Sequence, residues 1–93
     1  MRTKDEINDE IYRLKDMKPT VRHTTAFGDD NWAAIEAQIL VLEKRMDMDS
    51  IYAMWPDEDG MHECDAAQEA FAWMNSEEDA ELPSDGWKSL VRK

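Results

Sequence analysis

The sequence predicts a mainly α-helical fold, a small single domain of three to five helices. Apolar residues recur at intervals of three and four over several stretches, which is the period of one face of an α-helix. Residues that favour helix starts precede these stretches, and prolines follow two of them. Only residues 19–28 are rich in residues that favour extended structure, and the chain offers no second strand to pair with them. A sheet is therefore not expected.

The first helix is predicted to begin at a capping box. Thr3 and Glu6 have the spacing at which two free backbone N–H groups are satisfied by side chains. Pro19 is expected to end this helix one or two residues earlier, because proline lacks the N–H group that a helix interior needs. Residues 19–28 would then form a long extended connection, or a strand that pairs only with another molecule. The apolar face of the helix consists of Ile7, Ile11 and Leu14.

The second helix, about residues 31–46, is predicted to be the core element. Its large apolar residues are spaced three, four, three and four, a heptad-type seam that a neighbouring helix can cover. Alanines and aliphatic residues widen this surface, so the helix should be buried on more than one side. The additional cover must come from the acidic half or from a second copy of the chain. The candidate self-association seam is Trp32, Ile35, Ile39, Leu42 and Met46.

Three further elements are predicted in the second half. A short helix should run from a cap at Asp49-Ser50 to Pro56, which ends it. An acidic loop, residues 56–60, follows. Apolar positions at intervals of three and four predict a helix over residues 61–75 with an acidic opposite face. A final helical turn is expected from residue 84 or 85 onward.

Charge is distributed unevenly along the chain. The 93 residues include 22 acids and 11 Lys or Arg, a net charge of -11. Residues 1–46 hold nine acids and eight bases, whereas residues 47–86 hold thirteen acids and no Lys or Arg. The last seven residues add three bases. The single domain is therefore expected to consist of a charge-balanced helical hairpin (1–46), an acidic helical and loop region (47–86) and a basic C-terminal end (87–93).

This composition excludes several classes of function. The negative charge argues against direct binding to nucleic acid or to an anionic membrane, because phosphates would meet net repulsion. No run approaches the roughly 18 apolar residues that a membrane span needs. The single cysteine, Cys64, excludes an internal disulfide and agrees with a reducing compartment. The chain is expected to be soluble and cytoplasmic.

No motif predicts a metal, a cofactor or a reaction. The run Asp57-Glu58-Asp59-Gly60 is similar to a calcium loop, but placing Gly60 at the sixth position puts Trp55 first and Ala66 twelfth, where oxygen ligands are required. His62 and Cys64 point about 200° apart on a helix, so they form no nucleophile and base pair. Carboxylate pairs arise by chance in so acidic a chain. We expect no enzymatic activity, and Cys64 to be a core residue.

The acidic region is a candidate partner-binding surface. Carboxylates at i and i+4, such as Asp65 and Glu69, stand about 6 Å apart, similar to successive phosphates along one nucleic-acid strand. An exposed aromatic side chain surrounded by carboxylates would anchor such a surface against an Arg-rich partner. The alternative is that the acids form a solvated surface that only confers solubility. The candidate residues are Asp57, Glu58, Asp59, Glu63, Asp65, Glu69, Glu77, Glu78, Asp79, Trp55 and Trp73.

The basic cluster in the first third is expected to pair with this acidic half rather than to bind nucleic acid. Pairing of this kind would neutralise the acids within the molecule or between two copies of it. The cluster consists of Arg13, Lys15, Lys18, Arg22 and His23.

A resemblance adds a functional expectation. The runs Lys18-Pro19-Thr20-Val21-Arg22 and Ala26-Phe27-Gly28-Asp29-Asp30-Asn31, with the helix through Met46, resemble small proteins encoded by phages and prophages. A short acidic chain without a catalytic motif is also similar to phage inhibitors of host defence, namely DNA-mimicking anti-restriction proteins and many anti-CRISPR proteins. The resemblance implies a non-enzymatic inhibitor in the cytoplasm of a bacterial host cell. These inhibitors share no motif, so no functional residue is carried over.

Two functional hypotheses lead, ahead of a third, a small metal-dependent enzyme that would require stoichiometric Mg²⁺, Ca²⁺ or Zn²⁺. The first is an inhibitor that binds a basic nucleic-acid-binding surface of a host defence complex by mimicry of nucleic acid. The second is a structural or adaptor phage protein that forms a homodimer through the second helix, with an acidic face that only gives solubility.

Overall fold

The computed structural model describes residues 1–24, 27–56, 58–76 and 81–88, and its regular structure is entirely helical in those ranges. The prediction of a small all-α domain is therefore confirmed. Five α-helices follow one another along the chain, with one turn of 3-10 helix, Glu58–Gly60, before the fourth. The helices are α1 (Lys4–Thr24), α2 (Gly28–Lys44), α3 (Met48–Met54), α4 (Met61–Asn75) and α5 (Pro83–Lys88).

Helices α1 and α2 form an antiparallel hairpin, and α4 packs on α2. The direction of the hairpin follows from its ion pairs, in which later residues of α1 meet earlier residues of α2. On α4, the backbone carbonyl of Ala66 accepts a hydrogen bond from the side-chain amide of Gln38 on α2, at 3.1 Å. The predicted core helix thus lies between two covering helices. The hairpin ion pairs are Lys15–Glu43 at 3.4 Å, Lys18–Glu36 at 3.3 Å and Arg22–Asp29 at 2.9 Å.

The first helix continues through Pro19, so the prediction of an extended connection over residues 19–28 was wrong. A proline inside a helix removes one backbone hydrogen bond and costs about 3 kcal/mol. Contacts made beyond the proline offset this cost. Val21 is completely buried in the core, and Arg22 forms its ion pair with Asp29 while its guanidinium lies over the Trp32 ring. Residues 25 and 26 lie outside the described residues.

The hydrophobic core surrounds α2. Short side chains on the buried face of α4 let its backbone approach α2 closely, while larger aliphatic residues of α1 and α2 fill the opposite side. The chain therefore completes its core by itself. Core residues with no more than 1% exposure include Ile7, Leu14, Val21, Ala34, Ile35, Val41, Leu42, Ile51, Ala67, Ala70 and Met74.

A buried polar network attaches α5 to the rest of the domain. The Glu10 carboxylate has no solvent exposure and accepts hydrogen bonds from the Ser84 backbone N–H at 2.7 Å and the Ser84 hydroxyl at 2.9 Å. The Trp87 indole N–H donates to the side-chain oxygen of Gln38 at 2.7 Å. Because Gln38 also donates to α4, one buried amide links α2, α4 and α5.

Two helix starts are capped by side chains. The predicted capping box is confirmed: the Glu6 N–H donates to the Thr3 hydroxyl at 3.2 Å, and the Thr3 N–H donates to the Glu6 carboxylate at 3.3 Å. The backbone hydrogen bond from Thr3 lowers the pKa of Glu6. At α3 the cap is Asp47 rather than Asp49, and it accepts from the Ser50 N–H at 2.8 Å. That hydrogen bond lowers the pKa of Asp47.

The predicted fourth helix is confirmed, since α4 begins at Met61 and ends at Asn75. The last helix begins at Pro83, slightly earlier than the predicted turn, and is described as far as Lys88.

The close approach of the α2 start to α1 gives a test of the hairpin. A Cβ atom added at Gly28 would lie 1.9 Å from the carbonyl oxygen of Arg22, whereas one added at Gly86 would have no heavy atom within 4 Å. Gly28→Ala should therefore lower the free energy of unfolding by about 1–3 kcal/mol. Gly86→Ala should raise it by about 0.5–1 kcal/mol, because alanine is the better helix former. Urea unfolding followed by circular dichroism measures both, and an unchanged or higher free energy of unfolding for Gly28→Ala would contradict the hairpin geometry.

The Glu10 network gives a second test. Glu10→Gln keeps the shape of the side chain but turns one acceptor oxygen into an amide donor, so a donor of Ser84 loses its partner. The free energy of unfolding should fall by about 1–3 kcal/mol. Asp9→Asn, at the exposed neighbouring acid, serves as the control and should change it by less than about 0.5 kcal/mol. Equal effects in urea unfolding would show that the buried carboxylate does not hold α5.

Candidate binding surface

Four exposed carboxylates line the outer side of the 3-10 turn and α4. We call Glu58, Asp59, Asp65 and Glu69 the acidic face. None of them forms an ion pair with a Lys or Arg in the described part of the chain. Since α4 has no Lys or Arg, no lysine or arginine along the helix compensates these charges. Among the described residues, the face therefore carries negative charge toward solvent without a paired lysine or arginine.

Five of the nine acids of residues 1–46, by contrast, form an ion pair with a Lys or Arg. The basic cluster was predicted to pair with the acidic half, but among the described residues its lysines and arginines pair with acids of the first half. The reason is the antiparallel hairpin, which brings the bases of α1 alongside the acids of α2. Besides the three pairs that join α1 to α2, Arg2 pairs with Glu6 and Arg13 with Glu10, each at 3.4 Å.

An apolar groove adjoins the acidic face where α3 meets the start of α4. Tyr52, Trp55 and Met61 line it, and the acids Glu58 and Asp65 lie at its edge. The groove has a volume of about 290 Å³. Tyr52 is 52% exposed and Met61 57% exposed, so part of the apolar lining faces solvent. We call this feature the α3/α4 groove.

The two tryptophans predicted to anchor a partner differ in their exposure to solvent. Trp55 is half-buried and lines the α3/α4 groove. Trp73 is only 4% exposed, and the Arg2 guanidinium lies 5.2 Å from its ring centre. Trp73 lies on the buried face of α4 and already has a cation of its own chain, so it offers no free face to a partner.

The remaining candidate acids are placed as follows. Glu63 is half-buried, and its Oε2 atom is buried without a hydrogen-bond partner among the described residues. It points away from the acidic face. Asp57, Glu77, Glu78 and Asp79 lie outside the described residues.

The candidate self-association seam forms part of the core. Ile35 and Leu42 are fully buried, and Ile39 and Met46 are 6% and 7% exposed. Trp32 is half-buried beneath Lys18 and Arg22, at 4.8 Å and 5.3 Å from its ring centre. The cover that the sequence left open thus comes from α1 and α4. A homodimer through this seam would have to open the core first.

Cys64 and His62, which were considered above as a nucleophile and base pair, contact different neighbours. Cys64 is a buried free thiol, as predicted, and its sulfur accepts a hydrogen bond from Gln68 at 3.3 Å. A ring nitrogen of His62 lies 3.2 Å from the side-chain oxygen of Asn31. Among the described residues, no group of three or more His, Cys, Asp and Glu is placed to hold a metal ion.

Two features of this surface were not predicted from the sequence. Tyr52 was not among the candidate residues, although it stands three positions before Trp55 on a short helix, a spacing that places both on one side. The pairing of Arg2 with Trp73 had no sequence signal, because 71 positions separate the residues.

Comparison with known proteins gives no relative. No protein-family model matches the chain, and no curated protein or solved structure is significantly similar to it. No described helix is long and apolar enough to cross a membrane.

The uncompensated charge of the acidic face should carry a measurable stability cost. Asp65 and Glu69 are like charges at i and i+4, which destabilise a helix by about 0.2–0.5 kcal/mol. Asp65→Asn should raise the free energy of unfolding by that amount at low salt, and the gain should disappear near 0.5 M salt, where screening is strong. Asn and Asp have similar helix propensities, so propensity does not account for the change.

A paired acid of the hairpin provides the control. Glu36→Gln removes the partner of Lys18 and should lower the free energy of unfolding by about 0.2–1 kcal/mol at low salt. Chemical unfolding at two salt concentrations measures both variants. If Asp65→Asn were as destabilising as Glu36→Gln, the acidic face would be compensated by contacts of its own.

Proposed function

We propose that the chain is a non-enzymatic inhibitor of the phage type, which binds a basic nucleic-acid-binding surface of a host defence complex through its acidic face. One observation carries the proposal: Asp29, Glu36 and Glu43 of the hairpin are paired with bases of α1, whereas the four acids of the acidic face have no base in the described part of the chain. These four carboxylates follow one another along the 3-10 turn and α4, where their charge can attract a cationic partner.

The acidic residues of α4 stand on a packed helix, which favours this role. Asp65 and Glu69 project from α4, whose opposite side is buried against the core helix. The backbone of a packed helix is already ordered, so only the side chains of these carboxylates lose conformational freedom when a partner binds. They can therefore occupy sites for phosphate groups in a basic channel at lower entropic cost than acids on a disordered tail.

The adjoining α3/α4 groove supports a protein partner in particular. Charges on the rim of an interface set the association rate and the choice of partner, while buried aromatic contacts supply most of the affinity. Exposed Tyr52 and Met61 beside the acids provide apolar contact area of this kind. The alternative of a self-associating adaptor has weaker support, because the seam that suggested it is enclosed within one chain.

The proposal predicts that the chain captures a host protein and that added nucleic acid releases it. Tagged protein, incubated with nuclease-treated lysate of a bacterial host at low salt, should retain a partner that a DNA or RNA oligonucleotide displaces. The retention should fall by about tenfold or more as the salt concentration rises, since the attraction is electrostatic. A captured protein that nucleic acid does not displace would contradict mimicry.

Matched charge reversals separate the acidic face from net charge. Glu58→Lys with Asp65→Lys should weaken binding of the displaceable partner by about tenfold or more, equivalent to about 1.4 kcal/mol. Asp9→Lys with Asp16→Lys, at exposed acids of α1, makes the same change in net charge and should leave most of the affinity intact. Equal losses, measured by interferometry, would mean that total charge and not the acidic face determines binding.

A further inference from the structure

We infer that the α3/α4 groove receives an arginine side chain of the basic partner. The inference rests on the proposed function and specifies what the partner must present beside the acidic face. It makes the groove, rather than the acids alone, the source of specificity.

The chain itself contains two arrangements that show how such a site is built. The Arg2 guanidinium lies 5.2 Å from the centre of the Trp73 ring and 3.4 Å from the Glu6 carboxylate. At the turn between α1 and α2, the Arg22 guanidinium lies over Trp32 and 2.9 Å from Asp29. Each arrangement combines an aromatic ring, a carboxylate and an arginine.

The α3/α4 groove has the aromatic and acidic parts of this arrangement. Trp55 and Tyr52 supply the rings, and Glu58 and Asp65 supply the carboxylates. Within the described ranges, no Lys or Arg lies over either ring or pairs with either acid. The charge of the groove is thus complementary to a cation that this part of the chain does not provide.

The size and lining of the groove favour one long side chain. Its volume of about 290 Å³ is at the lower limit of pockets that enclose small molecules, which begin at about 300 Å³. The aliphatic part of arginine would pack against Met61 and the aromatic rings, with its charged end among the carboxylates. Arginine suits this site better than lysine, because a planar guanidinium stacks on a ring while it donates to two carboxylates.

Basic peptides test the groove directly. Octa-arginine and octa-lysine carry the same charge, so a groove for guanidinium should bind octa-arginine about fivefold or more tightly near 0.15 M salt. The indole N–H resonance of Trp55 should shift on binding in NMR spectra, and that of buried Trp87 should not. Equal affinity for the two peptides would overturn the inference.

Two matched pairs of variants locate the binding. Glu58→Gln with Asp65→Asn removes the acids of the groove, and Asp59→Asn with Glu69→Gln removes the same charge outside it. The first pair should weaken octa-arginine binding by about fivefold or more, and the second by about twofold or less. Met61→Ala should weaken binding, whereas Met54→Ala, at a comparably exposed methionine that does not line the groove, should not.

The outcomes distinguish this inference from the proposed function. If both pairs of acid variants weaken peptide binding equally, the acidic face acts only as diffuse charge and the groove inference is overturned. The proposed function then still depends on displacement of the captured partner by nucleic acid. If Arg92→Ala with Lys93→Ala shifts the Trp55 resonance in the absence of peptide, the chain's own basic end occupies the groove. That result would also overturn the inference that an arginine of the partner occupies it.

Discussion

The ion pairs between α1 and α2 determine how charge is distributed over the whole domain. The antiparallel hairpin brings Lys15, Lys18 and Arg22 alongside acids of α2, so these three bases are paired locally. They are then not free to neutralise α4, which has no Lys or Arg of its own. Exposed ion pairs contribute little stability individually. Their larger consequence here is that Asp65 and Glu69 have no paired Lys or Arg in the described part of the chain.

The buried polar contacts hold the acidic half on this hairpin. Glu10 fixes the start of α5 through Ser84, and Gln38 joins α2 to α4 and α5. Buried polar groups of this kind specify one arrangement, because each loses its hydrogen bonds if the helices shift. The acidic face and the α3/α4 groove are consequently presented by a packed framework. That framework supports a binding role better than a purely solubilising one, for which fixed positions are unnecessary.

Periodicity and caps predicted the helices well, because both depend on neighbours in sequence. The bounds of α4 and the Thr3–Glu6 box are examples. The continuation of α1 through Pro19 was not predictable in this way, since contacts of Val21 and Arg22 with distant residues offset the local penalty of proline. The role of Glu10 had a weak signal, a position three residues after Ile7 on the apolar face. The groove required tertiary structure, because it joins side chains of two helices.

The most direct test of the central claim is oxidative footprinting of the chain bound to a partner that nucleic acid displaces. Hydroxyl radicals modify exposed aromatic residues and methionines, and the chain exposes them on both halves. The account predicts protection of Tyr52 and Met61 beside the acidic face, with Tyr12 and Phe27 of the hairpin side, 73% and 72% exposed, remaining fully reactive. Protection of Tyr12 and Phe27 with Tyr52 and Met61 unchanged would contradict it, because the partner would then bind the charge-balanced hairpin.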